Sequence, residues 1–175
     1  MVFQHYIISG PPSSGKSALL TALSKNNFLC FPEVAIEVIK ENLSNNLDCF
    51  PWNNTLDFSD QVYRKSLKLL RSISSDFCFF DRSIIDIIAY MDMAKLPRNQ
   101  EYLKTIRNLS YNKNVFFLPF WKDIYQNDNE RKETMQEAAE IEAHLRSVYL
   151  EFGYNLIDIP CRTVSERVDF ILNQL

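Results

Sequence analysis

Gly10-Pro11-Pro12-Ser13-Ser14-Gly15-Lys16-Ser17 is a G-x-x-x-x-G-K-S stretch, the spacing of a phosphate-binding loop. A polyphosphate carries several negative charges, and backbone encloses it only where missing side chains let successive N–H groups point into one concave turn. The chain has 3 glycines among its 175 residues, and Gly10 and Gly15 are two of them. In this reading Gly10, Pro11, Pro12, Ser13, Ser14 and Gly15 wrap the phosphates. Lys16 reaches the β- and γ-phosphates, and Ser17 offers its hydroxyl to Mg²⁺. Ala18 lies in the first turn of a helix whose positive end faces the anion. The competing reading is a plain Gly/Pro/Ser turn between a strand and a helix.

The flanks supply the context a phosphate loop requires. Val2-Phe3-Gln4-His5-Tyr6-Ile7-Ile8 is β-branched and aromatic, the composition of a central strand. Ser17-Ala18-Leu19-Leu20-Thr21-Ala22-Leu23 places apolar residues at helical spacing. Working outward, strand-like runs alternate with helical ones. The first strand covers residues 3–9 and a second lies near Phe28 to Phe31, before a helix from about Pro32 to Leu43. An Asn-rich loop over 42–54, expected to be a surface loop and mobile over a substrate site, leads to a long amphipathic helix near Leu56 to Ser74. Phe77-Cys78-Phe79-Phe80-Asp81, Val115-Phe116-Phe117-Leu118 and Asn155-Leu156-Ile157-Asp158 complete the strands. A helix carrying Ala138, Ile141, Leu145, Val148 and Phe152 on one stripe ends at Gly153, and another closes the chain from Val164 to Leu175. The expectation is a three-layer α/β P-loop NTPase fold, a mainly parallel sheet of about five strands with helices on both faces. One domain spans 1–175, with a lid at 122–133.

Composition narrows the partners. At 46% hydrophobic and 13% aromatic the chain can bury a sizeable core. A net charge of −3 without a Lys/Arg block argues against a general grip on nucleic acid or an anionic membrane. No run of about 18 apolar residues is present to span a bilayer. Cys30, Cys49, Cys78 and Cys161 have no C-x-x-C spacing, and His5 and His144 stand far apart, so no zinc site is expected. Cys30 and Cys78 read as buried reduced thiols, and the expected location is the cytoplasm.

Four apolar residues ending in Asp81 describe a buried strand that delivers a carboxylate to its C-terminal edge, where such sheets bind ligands. There Asp81 would hold Mg²⁺ beside Ser17; the alternative is a helix cap made by Asp81 or Ser83. Arg82 offers a planar fork to a phosphate or an anionic substrate, or forms a surface ion pair. Glu33, and Glu37 one turn on, would face the phosphate loop, Glu33 orienting an acceptor hydroxyl; acids are also favoured at any helix N-terminus. The polar segment from Lys122 to Glu133 reads as a lid donating Arg131 or Lys132 to the phosphates, or as a solvated turn. Phe116, Phe117, Phe120 and Trp121 are expected to be core and lid-hinge residues. Arg162 or Cys161, in the loop after the last strand, would touch the nucleotide base.

Gly10 to Ser17, Pro32-Glu33-Val34-Ala35-Ile36-Glu37-Val38-Ile39, Phe80-Asp81-Arg82-Ser83 with Asp86 and Ala89-Tyr90, Asp128-Asn129-Glu130-Arg131, Tyr149, Gly153-Tyr154 and Ile159-Pro160 together resemble the NadR-like AAA/P-loop ATPase domain. That family includes ribosylnicotinamide-kinase domains. The resemblance implies a Mg·ATP site on a nucleoside-kinase-like fold. In it Asp81-Arg82-Ser83 looks like the acid-Arg-Ser motif of nucleoside kinases, and Arg131 like their lid arginine. The chain departs from the pattern in its lid, which has Arg131 and Lys132 where many such kinases show several arginines.

The leading expectation is a kinase using ATP and Mg²⁺ to phosphorylate a small hydroxylated acceptor, with Lys16, Glu33, Asp81, Arg82 and Arg131 doing the chemistry. The alternatives are a nucleotide-dependent switch acting on a protein partner, and a nucleotide-bound domain without turnover. ATP is favoured over GTP because no Asn/Thr-Lys-x-Asp guanine-reading motif occurs.

Overall fold

The computed structural model describes residues 4–124 and 134–175. Its strands are β1 (Gln4–Ser9), β2 (Cys30–Phe31), β3 (Phe77–Asp81), β4 (Asn114–Phe117) and β5 (Asn155–Asp158). They form one sheet in the order β2-β3-β1-β4-β5. Every pairing is parallel, so the expected "mainly parallel" sheet is wholly parallel among the described residues. The helices are α1 (Lys16–Lys25), α2 (Val34–Ser44), α3 (Thr55–Ser72), α4 (Ile84–Met93), α5 (Gln100–Arg107), α6 (Met135–Glu151) and α7 (Val164–Leu172).

The three layers follow from the period-2 alternation of strand side chains. Ile7, Phe80 and Phe117 point into one core with α2 to α6. Their neighbours Ile8, Phe79 and Phe116 point into the other, against Leu19 and Leu23 of α1 and Val168 and Ile171 of α7. With helices over both faces each central strand is apolar along its length, as parallel sheets require. β1 lies between β3 and β4, so the chain reverses its direction of travel across the sheet beside β1. The loop after β1 therefore opens into the crevice at the strands' C-terminal ends, where ligands collect in open α/β sheets. No helix among the described residues is long and apolar enough to cross a membrane.

Several boundaries differ from the sequence reading. The second strand shortens to Cys30–Phe31 because it sits at the sheet edge, pairing only with β3. Cys78 is fully buried, but Cys30 is only partly so. The stretch over 42–54 is a pinned connection: Asn42 Nδ2 donates to Cys49 O at 2.7 Å and to Gln61 Oε1 at 2.9 Å. Asn54 caps α3 by accepting from the Asp57 N–H, and Phe50 stacks on Trp52 with ring centres 4.9 Å apart. The asparagines thus fasten this stretch. Helix α5 was not foreseen. Its polar sequence exposes all but a narrow strip made by Tyr102 and Ile106, too few apolar residues to mark a period.

Gly153 behaves as expected. It adopts φ +73 just past α6, and Tyr154 N–H donates to Tyr149 O at 3.0 Å to close the helix. Of the aromatics after β3, Phe116 and Phe117 are core, while Phe120 and Trp121 are half-buried beyond β4. Residues 125–133, with Arg131 and Lys132, lie outside the described residues.

Candidate functional site

The phosphate loop begins where β1 ends. Ser9 O accepts from Leu118 N–H at 2.8 Å, and Ile8 O from Arg82 N–H at 3.0 Å, which ties the loop's entry to both neighbouring strands. Gly10 follows at φ +149, and a Cβ there would lie 2.3 Å from the Leu118 carbonyl oxygen. Glycine is therefore required by sterics and by backbone conformation together. Gly15 takes φ +84 at the N-cap of α1, where no side chain caps the helix, so its first N–H groups remain available to a ligand.

Lys16 is almost wholly buried. Its ammonium has a long contact, 3.4 Å, to Pro11 O. Burial and the Arg82 guanidinium push its pKa down to about 8, against the opposing pull of Asp81, Glu33 and Asp86. Asp81, at the end of β3, has its Oδ1 buried without a hydrogen-bond partner among the described residues. Burial raises its pKa to about 6, although Lys16 draws it down.

Arg82 is buried, with only 9% of its surface exposed. Its Nε lies 3.0 Å from Glu33 Oε1 and its Nη1 3.3 Å from Asp86 Oδ1. The Nε–H is not aimed at the Glu33 oxygen, so that contact is an ion pair rather than a directed hydrogen bond. The alternative of a surface ion pair is thus corrected to an interior one, because Arg82 is buried, and Arg82 also holds a left-handed backbone at φ +67. Glu33 sits at the N-cap of α2 but makes no cap hydrogen bond. Burial acts to raise the Glu33 pKa, but Arg82 and Lys16 outweigh it and hold the carboxyl below its usual range.

Asp86 organises the floor beneath these groups. It accepts from Ser9 Oγ at 2.8 Å, from Ser83 N–H at 2.9 Å, from Arg82 and from the Tyr149 hydroxyl. Burial, with Asp86 beside it, holds the Tyr149 hydroxyl well above the ordinary tyrosine range. Ser83 and Asp86 form the capping box of α4, so the helix-cap role falls to Ser83 and leaves Asp81 free of it. A capping-box spacing was legible in Ser83-x-x-Asp86; the tie to Tyr149, 63 residues on, was not.

These groups border a cavity of about 870 Å³. Its charged lining is Lys16, Glu33, Asp81, Arg82 and Asp86, and most of the remainder is apolar side chains of α2, α3 and α4. Four of the expected residues, Lys16, Glu33, Asp81 and Arg82, therefore meet at one place. Ser17 and Ala18 are exposed on the first turn of α1. Glu37 does not face the phosphate loop: it pairs with Lys65 of α3 at 3.1 Å, and the i, i+4 relation does not tie it to Glu33 because Glu33 is the extended N-cap residue, outside the helix. Arg162 is exposed, 3.9 Å from Glu166, and Arg131 falls outside the described residues.

Arg167 was missed. It is buried on α7 and donates to Ser14 O at 3.4 Å, with its guanidinium 5.5 Å over the Trp121 ring. In sequence it reads as one more polar residue of a surface helix.

A profile of the AAA domain family matches residues 5–167. Among solved structures, a deoxyadenosine kinase from M. mycoides aligns at 14% identity and TM-score 0.68, covering 98% of this chain and 97% of that one. A thymidylate kinase from Ehrlichia chaffeensis aligns at 13% identity and TM-score 0.62, covering 99% of each chain. A shikimate kinase from Aquifex aeolicus aligns at 16% identity and TM-score 0.60, covering 97% and 95%. A search of curated proteins gave no significant sequence match. At such identities these likenesses speak to the fold, a P-loop kinase-like one. With the profile spanning nearly all of its length, the chain belongs to the AAA domain family.

Proposed function

We propose that the protein is a Mg·ATP-dependent kinase that transfers the γ-phosphate to a hydroxyl of a nucleoside-like or other small acceptor. The observation that carries this reading is the meeting of Lys16, Glu33, Asp81 and Arg82 in the lining of one large cavity beside the phosphate loop. A cavity of this size beside the loop leaves room for a second substrate, which a nucleotide switch would not need.

The buried, unpartnered Oδ1 of Asp81 fits a divalent cation. Mg²⁺ is usually held by one or two protein oxygens plus substrate phosphates, and Asp81 with Ser17 would supply them. Bound there, the ion would neutralise charge on the β- and γ-phosphate oxygens. Lys16 and the open N–H groups of α1 would bind those same oxygens, Glu33 would orient the acceptor hydroxyl, and Arg82 would meet the transferring phosphate. The acceptor oxygen would bond to the γ-phosphorus as the bridging β–γ oxygen leaves with ADP, and the hydroxyl proton would pass by way of the Glu33 carboxylate to water. Phosphoryl transfer asks mainly for positioning and electrostatics, so a carboxylate of lowered basicity such as Glu33 suffices to hold the hydroxyl. Arg131 would add a cation to the phosphates, and Arg162 would contact the base.

Incubation with Mg·ATP and a panel of nucleosides, sugars and simple alcohols, read by mass spectrometry, should yield a phosphorylated acceptor. Hydrolysis of ATP with no such product would refute the kinase. Lys16→Ala should abolish triphosphate binding by calorimetry while leaving the unfolding midpoint little changed.

A further inference from the structure

We infer that the acceptor is an uncharged alcohol with a hydrophobic body, rather than a phosphorylated, carboxylated or base-bearing molecule; the inference rests on the kinase reading above and deepens it. The first ground is charge. The charged lining, among the described residues, is confined to the cluster of Lys16, Glu33, Asp81, Arg82 and Asp86. Arg82, its one guanidinium, faces two carboxylates at 3.0 and 3.3 Å, and in the kinase reading its remaining N–H groups, like the Lys16 ammonium, go to the phosphates of the nucleotide. No other Lys, Arg or His among the described residues lines the cavity. An acceptor's own phosphate or carboxylate would be desolvated there without a partner, which is strongly unfavourable.

The second ground is that, among the described residues, no Asn or Gln lines the cavity to pair with the edge of a heterocycle. Away from the cluster the walls are apolar side chains such as Ile39, Phe58, Val62, Leu69, Leu70 and Met93. Polar character there comes from the hydroxyls of Thr55, Ser59, Ser66, Tyr90 and Tyr111 and the indole N–H of Trp52, a set with one fixed donor and without an amide. The nearby amides are engaged elsewhere: Asn42 Nδ2 with Cys49 O and Gln61 Oε1, and Gln61 Nε2 with the Cys49 thiol at 3.4 Å. A base edge offering several donors and acceptors would leave some unpaired, and each unpaired buried group costs binding. Size is the third ground, since about 870 Å³ falls in the range of pockets that enclose drug-sized ligands.

The test is calorimetry on the full chain with Mg²⁺ and a non-hydrolysable ATP analogue, using 1-hexanol, 1-octanol, 1-decanol, octanoate, octyl phosphate and deoxyadenosine as probes. Each added methylene should tighten alcohol binding about fourfold, and octanoate and octyl phosphate should bind far more weakly than 1-octanol. Val62→Asp should remove the chain-length dependence while keeping nucleotide affinity, which separates binding in the cavity from adsorption elsewhere. Leu70→Arg, a second variant at the same wall, should admit octyl phosphate. Tighter binding of deoxyadenosine or octyl phosphate than of 1-octanol, or no chain-length dependence, would overturn the inference. Product assays with ATP run alongside. Alcohols that bind but are never phosphorylated would sink the kinase reading and leave the cavity's preference standing. A phosphorylated nucleoside without alcohol binding would do the reverse.

Discussion

Asp81→Asn should stabilise the ligand-free protein at pH 8 by about 3 kcal/mol. The folded carboxyl titrates at about 6 against an ordinary 3.8, chiefly through burial. That difference is about 2 pH units, and each is worth about 1.36 kcal/mol between protonation states. The sign follows from proton binding. Below the ordinary value both folded and unfolded carboxyls are protonated, and Asp81 costs nothing. As pH rises toward 6, the unfolded chain releases its proton while the folded chain keeps it, so stability falls. Above 6 the whole penalty is present. Asparagine mimics the protonated form at every pH, so the gain should shrink to about 0.5 kcal/mol at pH 4. Urea unfolding at the two pH values measures it. With a slope of about 1–3 kcal/mol/M, the pH 8 midpoint should rise by roughly 1–3 M. A gain equal at both pH values, or destabilisation at pH 8, would refute the claim that an uncompensated carboxylate is buried there. The same variant should bind Mg·ATP more weakly, whereas its affinity for metal-free ATP should hold or rise because a negative charge has gone.

Gly10→Ala should cost about 3 kcal/mol in urea unfolding, since the new methyl meets a backbone oxygen at 2.3 Å and φ +149 disfavours any side chain. A loss below 1 kcal/mol would show that β1 and β4 can separate freely. Tyr149→Phe removes a donor from Asp86 and should cost about 1–3 kcal/mol by the same assay; an unchanged midpoint would mean the hydroxyl contributes nothing there. Triphosphate affinity should fall as pH rises past about 8, where the free Lys16 ammonium loses its proton, and Lys16→Arg should flatten that decline in a calorimetric pH series.

What the sequence disclosed was local in origin. The phosphate loop, β1 and the strand ending at Asp81 each announce themselves within a few residues, because glycine placement and apolar runs fix the backbone there. The partners of Arg82 were hidden for a different reason. Glu33 lies 49 residues before it, and only the adjacency of β2 and β3 brings the two together. Glu37 was misplaced because periodicity says which residues share a helix face but not which neighbour that face meets; α3 supplied Lys65. Arg167 carried no signal at all, since its burial arises from α7 packing on α1 beside the loop. Helix α5 escaped through its polarity.

The same few side chains explain why the site is an expensive part of the fold to maintain. Lys16 is held with a depressed pKa, Asp81 with an elevated one and an unpartnered oxygen, and Arg82 in a left-handed backbone. Each is unfavourable alone, and such features persist only where surrounding packing over-determines them. That packing is visible in the two apolar layers that clamp β1 and β3 from both faces. Were the cluster purely structural, replacing its charges by neutral isosteres would be the stabler arrangement, as buried ion pairs often show. An anionic ligand carrying its own cation would relieve two of these tensions together, restoring a partner to the Lys16 ammonium and to the free Asp81 oxygen. The strain gathered in these side chains is therefore itself an argument for a charged ligand, and ligand-induced stabilisation exceeding that of Asp81→Asn is its physical signature.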